Sequence, residues 1–384
     1  MNFNKYNIFF ISLLFHICCC NADNEKHKSD LTSLHMNSAV QIDFDELVEN
    51  VNCITLENLP DAYMTDCWKI IKYKDLFYLY SLSDFAVCIF DEEGKFIKRI
   101  DGKNTGAVET PCDIFVEKKQ DQLWIVESHH FIHKYSLKGD FIAKEELPFS
   151  AVKLTCFNDN CFLFYDGGFD RESPFFVRQT SANFKTVKTF VEKTNKQYRS
   201  IPISLFANDD ENKEIYSLLP NMDTVYISNK TKSFTPLFHL NFDNRLLTFD
   251  MFPQNGFSDK EMAEIIKTKK MVHSITGFNY ASGLLFMQLH GKDDSFRIID
   301  VNTKSVSKFN TLIDGLDMYP GVTTIQGCTD KSLLVSMPAK EFLEKYKKKN
   351  NLTHYKSIEK ILDAPEKIKN RVLIEIKIKE TYEK

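Results

Sequence analysis

The chain has 384 residues, a hydrophobic fraction of 43% and a formal net charge of −4. This composition excludes global disorder, and the small net charge, without a dominant block of like charge, gives no basis for a nucleic-acid partner. The 33 Phe and 15 Tyr residues favour strands, because aromatic side chains suit the half-buried surface of a sheet.

The amino terminus has the pattern of an export signal. Lys5 precedes an apolar run, Ile8 to Ile17, that is too short to span a bilayer and is typical of a secretory signal. Three cysteines follow, and Cys20 best fits a lipidation site, since Ile17 lies three positions before it with smaller residues between. The sequence therefore predicts a lipoprotein-type signal over residues 1–20, a polar linker over 21–45 and a membrane anchor of two acyl chains. An ordinary secretory signal that is cut elsewhere is the alternative.

A repeated strand pattern fills the rest of the chain. Six near-continuous apolar segments, each the length of one strand, recur at 76–80, 123–127, 161–165, 214–219, 284–289 and 332–337. Each has an apolar partner upstream and another downstream, and turns containing Gly or Asn then lead to fourth strands in most units. Six such units predict an all-β fold, a six-bladed β-propeller over residues 46–384. A seven-bladed ring and an open sandwich are the alternatives.

The last unit differs from the others in two ways. It ends after its third strand, and the apolar segment 51–57, which precedes the first unit, is predicted to supply the missing fourth strand. Such an exchange closes the ring between the two ends of the chain and leaves no exposed edge there. Residues 339–370 of the same unit carry apolar side chains at helical spacing before Pro365, which predicts a helical insertion of one or two amphipathic helices.

One stretch carries a family resemblance. Residues 218–243 contain Asp-Thr-Val-Tyr at 223–226, then a polar turn and an apolar run ending in Asn-Phe-Asp. This order, with the final segment 370–380, resembles six-bladed β-propeller lipoproteins of unknown function from gut-type bacteria, and residues 90–117 are similar to NHL-type repeats. The resemblance implies the fold and a cell-envelope location more firmly than a function. That family has a Gly-rich loop ending in Glu between blades, and residues 106–109 keep the ends of this loop.

Two segments could bind a metal ion. His129 and His133 would share one face of a strand, which makes a metal site geometrically feasible, and a polar hairpin with surface histidines is the alternative. The loop 166–172 gathers oxygen ligands around two glycines and could suit Ca²⁺, although it lacks the position pattern of an EF-hand. An ordinary glycine turn is the competing interpretation, and no other cofactor is indicated.

Acidic side chains near the innermost strands, Asp66, Asp113 and Glu117, are candidates for the central channel, as is His273. The sequence contains no Gly-x-Ser-x-Gly motif, P-loop, dinucleotide fingerprint or His-Glu-x-x-His motif. Charged residues that hold trapped water in the channel are the alternative to a catalytic site.

The leading hypothesis is a lipid-anchored binding or scaffold protein of the bacterial outer membrane. Loops on one propeller face would recognise a protein or glycan partner, with Phe169, Asp170 and Glu109 as candidate binding residues. The rival hypothesis is a metal-dependent hydrolase or lyase that acts on a lactone or glycan at the central channel. A structural subunit of an envelope complex is a third possibility.

Overall fold

The computed structural model contains six sheets that surround a central channel. It describes residues 31–380 except 104–107, 128, 159–160, 194–201, 292–294, 313–315, 318–323 and 348–354; between 249 and 270 it describes 251, 258, 260, 261, 264, 265 and 268. Each of the six sheets has four antiparallel strands of the predicted kind, two of them carry a fifth, parallel strand, and the predicted six-bladed β-propeller is confirmed.

The strands follow one another blade by blade. Three precede the first blade: β1 Thr32–His35, β2 Val40–Gln41 and β3 Val48–Thr55. Blades I to III are formed by β4 Lys69–Tyr73, β5 Leu76–Ser81, β6 Ala86–Asp91, β7 Phe96–Ile100, β8 Pro111–Glu117, β9 Gln122–Glu127, β10 Phe131–Ser136, β11 Phe141–Glu146, β12 Lys153–Asn158, β13 Cys161–Tyr165, β14 Phe175–Ser181 and β15 Thr186–Glu192. The later strands are β16 Phe206–Asp209, β17 Glu214–Leu218, β18 Thr224–Ser228, β19 Thr235–Asn241, β20 Val272–Ala281, β21 Leu284–Gly291, β22 Ser295–Asp300, β23 Val306–Phe309, β24 Thr311–Leu312, β25 Leu316–Asp317, β26 Gly327–Cys328, β27 Ser332–Pro338 and β28 Arg371–Ile378.

The first strand of each blade lies nearest the channel, and the second strand is sandwiched between neighbouring blades. The second strands are almost continuously buried, as in β5, where four successive residues from Phe77 to Tyr80 are fully inaccessible. Burial on both faces explains why these segments are apolar without alternation. Aromatic rings fill the spaces between blades; Trp124 of blade II and Phe162 of blade III have ring centroids 5.1 Å apart.

The ring closes through a strand from the amino-terminal side. β3 is the outermost strand of blade VI and pairs antiparallel with β28, with Val51 opposite Ile376. The predicted exchange is confirmed. The chain then passes to blade I, where the N–H of Glu57 donates to the carbonyl of Gly94 at 2.8 Å. Strands from near the two ends of the described chain, β3 and β28, are therefore hydrogen-bonded in one sheet.

Residues 32–47 form a segment that we call the N-terminal strap. β1 adds to blade IV in parallel with β19, and β2 adds to blade V in parallel with β23. Leu34 and Met36 are buried, and the Arg297 guanidinium donates to the carbonyl of Met36 at 3.0 Å. The second half of the segment predicted as a polar linker thus lies on the ring, whereas residues 1–30, including Cys20, lie outside the described residues.

Two helices, α1 Ala339–Lys347 and α2 Lys356–Leu362, connect β27 with β28 and confirm the predicted insertion. Phe342 and Ile358 are fully buried against blade VI, which explains their helical spacing. Short 3-10 turns occur at Phe44–Leu47, Pro60–Ala62 and Pro365–Lys367. Among the described residues, no helix has the length and apolarity needed to cross a membrane. The insertion lies on the face that also carries the loops between second and third strands, which we call the upper face; the opposite, lower face carries the other hairpins.

Candidate functional site

A buried carboxylate joins three blades in the central channel. Asp113, on β8, is fully buried, and its Oδ1 lies 2.8 Å from Nζ of Lys69 on blade I. The same oxygen lies 3.3 Å from Nζ of Lys153 on blade III, and the N–H of Leu154 donates to Oδ2 at 3.3 Å. Asp113 lines a channel cavity of about 180 Å³, at the position that the sequence predicted for it. The arrangement places two ammonium groups against one carboxylate.

Burial also changes the proton affinity of Lys153, whose side chain is only 2% exposed. Loss of hydration lowers the pKa of this ammonium and outweighs the attraction of Asp113, which raises it. The neighbouring charge of Lys69 lowers the pKa of Lys153 further. Burial and the charge of Lys69 therefore both disfavour the protonated form of Lys153.

The other channel candidates serve local structure. Asp66 accepts hydrogen bonds from serine hydroxyls of its own blade, and Glu117 accepts from the backbone N–H groups of the turn that follows it. His273 lies beside His290, with ring centroids 6.2 Å apart. Within the described part of the chain, no group of three or more His, Cys, Asp or Glu side chains is placed to hold a metal ion.

An aromatic pair spans blades II and III on the upper face. The rings of His129 and Phe169 are stacked, with centroids 4.3 Å apart and planes inclined by 18°. Phe169, which the sequence analysis treats as an exposed loop residue, is partly buried because it packs on His129 and on the core of blade III. Burial lowers the pKa of His129, so this ring is the neutral, stacking form at neutral pH.

The second predicted metal ligand, His133, belongs to a different cluster. Its Nε2 lies 2.7 Å from Oε2 of Glu127, and both side chains are buried. Lys144 donates to the same oxygen at 3.0 Å, and the backbone N–H of Glu109 donates to Oε1 at 2.6 Å. Burial raises the pKa of Glu127, but the bonds from Glu109, Lys144 and His133 prevail and hold it below its ordinary value. His129 and His133 thus have different partners, while Glu109 is anchored by its backbone.

The loop 166–172 is closed by two ion pairs. Asp166 accepts from the N–H of Gly168 at 2.8 Å and from the ammonium of Lys193, and burial raises its pKa to about 6 despite that ammonium. Asp170 accepts from the Arg178 guanidinium at 2.6 Å, and its carbonyl accepts from Lys193 at 2.7 Å. The carboxylates that were candidates for Ca²⁺ or a partner therefore bind cations of this chain.

A large concave surface, which the sequence did not predict, lies between blades I and II. We call it the rim groove. Its volume is about 850 Å³, and it follows the outer strand β7 from the upper face to the lower face. Its lining includes Pro60, Asp61, Tyr63, Asp84, residues 96–101, Lys103, Tyr135 and residues 139–141.

Aromatic groups are exposed along the rim groove. Tyr63 is 54% exposed and Phe141 is 39% exposed, although both are large rings. Eight large hydrophobic side chains are exposed in the described part of the chain, and two of them, Tyr63 and Phe141, line the groove. The groove thus presents two exposed aromatic rings to solvent.

Ion pairs fix the shape of the groove. Lys98 of blade I and Asp140 of blade II pair at 2.7 Å across it. Arg99 pairs with Asp101 at 3.0 Å and donates to the carbonyl of Tyr63 at 3.0 Å, which holds the loop that presents this aromatic ring. The groove therefore combines exposed rings with carboxylates, ammonium groups and a guanidinium.

Solved structures similar to this fold include two from Bacteroides species. A Bacteroides fragilis protein with the provisional description of an exported protein is 14% identical, with a TM-score of 0.69, over 91% of this chain and 99% of that one. A Bacteroides vulgatus member of the DUF4221 family is 9% identical, with a TM-score of 0.52, over 87% and 97% of the two chains. A search of curated proteins returns no match. Residues 28–377 match the family described as a domain of unknown function, DUF4934, and the chain belongs to that family.

Proposed function

We propose that this protein is a lipid-anchored binding protein of the cell envelope whose rim groove holds a glycan. The observation that carries the proposal is the exposure of two large aromatic side chains, Tyr63 and Phe141, on the lining of one charged groove. Exposed aromatic rings in a concave surface are a common feature of ligand-binding sites.

The chemistry of the groove favours a sugar chain over a purely apolar ligand. Flat aromatic rings pack well on the C–H faces of pyranose rings, and carboxylates and ammonium groups bond to hydroxyls. Asp61, Asp84 and Lys103 line the groove beside the rings and can supply those bonds. The groove also extends across the whole height of the ring, which suits an extended oligosaccharide better than a compact metabolite.

The location rests on separate support. The amino-terminal sequence has the pattern of a lipoprotein signal, with Cys20 as the acylated residue. The relative from Bacteroides fragilis carries the description of an exported protein. A protein held at the envelope by lipid would meet surface and periplasmic polysaccharides at high local concentration.

Binding to glycans is tested with the purified protein on an array of bacterial and host oligosaccharides, followed by calorimetric titration of the best ligand. Tyr63→Ala and Phe141→Ala should each weaken binding roughly tenfold or more, the effect typical of a central aromatic contact. Val187→Ala is the matched control, since Val187 is 63% exposed on the outer strand of blade III, away from the groove. It should bind like the wild type.

Two outcomes would contradict the proposal. The first is that no oligosaccharide binds above background. The second is that the best ligand binds Tyr63→Ala and Phe141→Ala as tightly as the wild type. Capture of an envelope protein that depends on Tyr63 and Phe141 would replace the glycan with a protein partner at the same surface.

The anchor is tested by metabolic labelling with an alkyne fatty acid and by membrane fractionation. Cys20→Ser should abolish the label and release the protein from the outer-membrane fraction, because Cys20 is the predicted acylation site. Cys18→Ser serves as the control and should keep both. Label that survives Cys20→Ser would contradict the assignment of the lipid to this residue.

A further inference from the structure

We propose a second binding site in the central channel, one that takes a small oxyanion of the carboxylate or phosphate type at the ammonium of Lys153. The site is distinct from the rim groove and does not depend on the proposed function. It rests on a local excess of positive charge and on hydrogen-bond donors that have no acceptor.

The charge excess is confined to one part of the channel. Lys69 and Lys153 share the single carboxylate of Asp113, and both of their bonds go to the same oxygen. The other lysines that line the cavity are balanced by their own partners: Lys72 makes a two-oxygen ion pair with Glu375 at 2.8 Å, and Lys118 pairs with Asp210. A further carboxylate of the lining, Asp330, lies near Lys118 and accepts from the backbone N–H of Asp210 at 2.9 Å. The positive charge is therefore local: beside Asp113 two ammonium groups share one carboxylate, which is costly unless an anion completes the set.

Lys153 is also short of acceptors. An ammonium carries three N–H donors, and the one acceptor described for Lys153 is Oδ1 of Asp113, at 3.3 Å. Lys69 is better satisfied, since it contacts Asp113 at 2.8 Å and the carbonyl of Ile114 at 2.8 Å. An anion in the cavity would find its strongest donor at Lys153.

Asn279 contributes a second unsatisfied donor. It lies on β20 of blade V and lines the same cavity as Lys153, and its Nδ2 is buried with no hydrogen-bond partner among the described atoms. Leaving a buried donor unpaired is unfavourable, and a ligand oxygen would remove that cost. Thr155 and Asn208, which are joined to each other by a 3.1 Å bond, add further polar groups to the wall.

The same two ammonium groups disfavour binding of a metal ion beside Asp113. They also allow the protein to tolerate the site without an anion. Without an anion, Lys153 can lower its cost by losing its proton, and binding of an anion would then bring that proton back. The cavity of about 180 Å³ has room for acetate or phosphate but not for an oligosaccharide.

The test is calorimetric titration of the purified protein with sodium acetate and, separately, with inorganic phosphate, with NaCl as the control for ionic strength. We expect saturable binding to one site and a Tm that rises with the concentration of the anion. Tighter binding of phosphate would assign the site to phosphate-type ligands, and tighter binding of acetate would assign it to carboxylates.

Variants locate the site. Lys153→Met should weaken binding roughly 10- to 100-fold, and Asn279→Leu roughly 3- to 10-fold, in line with the loss of a charged and of a neutral hydrogen bond. Lys193→Met is the matched control, because Lys193 is an equally buried lysine of blade III that pairs with an aspartate away from the channel. It should bind the anion like the wild type.

The proposal is overturned if neither probe binds saturably. It is also overturned if Lys153→Met and Asn279→Leu both keep the wild-type affinity. Because Asn279→Leu removes the unpaired Nδ2 and keeps a side chain of similar size, it should fold even if Lys153→Met does not.

Discussion

Replacing Asp113 with Asn tests whether the ion pairs of this carboxylate with blades I and III stabilise the ring. The substitution keeps the size of the side chain and removes one negative charge from a fully buried position. It leaves the ammonium groups of Lys69 and Lys153, which lie 2.8 and 3.3 Å from the lost charge, without a counterion. Both can respond only by deprotonating or by drawing water into the channel.

The magnitude follows from burial. Removing one partner of a buried ion pair costs about 3–5 kcal/mol, and we expect about 3–4 kcal/mol here because Asn keeps one oxygen and Lys69 is partly exposed. For a domain of about 350 residues the entropy of unfolding is about 0.7 kcal/mol/K, so Tm should fall by about 4–6 °C. Removing one of the two cations, instead of the carboxylate, should have a different effect on stability. Lys153→Met leaves Asp113 neutralised by Lys69, so its free energy of unfolding should stay within about 1 kcal/mol of the wild type or rise.

Urea denaturation and calorimetry of four proteins measure these effects: wild type, Asp113→Asn, Lys153→Met and the double variant. The double variant should recover at least half of the stability lost in Asp113→Asn, since it removes the more buried of the two orphaned cations. Asp121→Asn is the matched control. Asp121 pairs with Lys74 at 2.6 Å, but both side chains are about half exposed, so the loss should be under about 1 kcal/mol.

Two results would refute this reasoning. If Asp113→Asn is no less stable than Asp121→Asn, the channel network contributes nothing beyond a surface pair. If Lys153→Met is as destabilising as Asp113→Asn, the two ammonium groups do not compete for one carboxylate, and the assignment of an excess cation fails.

Two further predictions concern other parts of the ring. Glu127→Gln should lower stability at neutral pH. Because the folded pKa of Glu127 is depressed, its contribution is present above the unfolded value of 4.5 and is lost as the pH falls, so the gap between variant and wild type should close between about pH 6 and pH 3 in urea titrations. Gly327→Ala should lower the free energy of unfolding by about 1–3 kcal/mol, because its Cβ would overlap the carbonyl oxygen of Ile70 where blade VI meets blade I. An unchanged denaturation midpoint for Gly327→Ala would mean that this junction can move apart freely.

The central strands of the blades were predictable because burial on both faces demands continuous apolarity. The predicted segment 161–165 coincides with β13, and 76–80 differs from β5 by one residue. The apolar segment 202–207 does not coincide with the first strand of blade IV, Phe206–Asp209, because Leu205 is buried in the core although it precedes the strand. The strands of the N-terminal strap could not be predicted from an apolar pattern. In β1 only Leu34 is buried, because an outermost strand packs on one side only.

The site was less accessible to sequence reasoning because its parts meet only in the ring. Lys69 and Lys153 lie 44 and 40 positions from Asp113, and no local motif connects them. A signal was nevertheless present: all three lie on first strands and precede a buried aliphatic residue, so an alignment of the repeats would have shown the charges +, − and + in successive blades. For the rim groove no such signal exists. The exposure of Tyr63 and Phe141 depends on the spacing between blades I and II, and this spacing cannot be inferred from the sequence around either residue.

The strap and the groove occupy opposite sides of the ring, and this relation connects the proposed anchor with the proposed function. In a ring of six blades, blades IV and V, which carry β1 and β2, lie opposite blades I and II, which form the groove. About 12 residues separate Cys20 from Thr32, a tether that spans at most about 40 Å when fully extended. A lipid at Cys20 would therefore keep β1, on blade IV, within about 40 Å of the membrane. The groove lies on the side of the ring opposite the point where this tether attaches, so a long polysaccharide can enter it without meeting the tether.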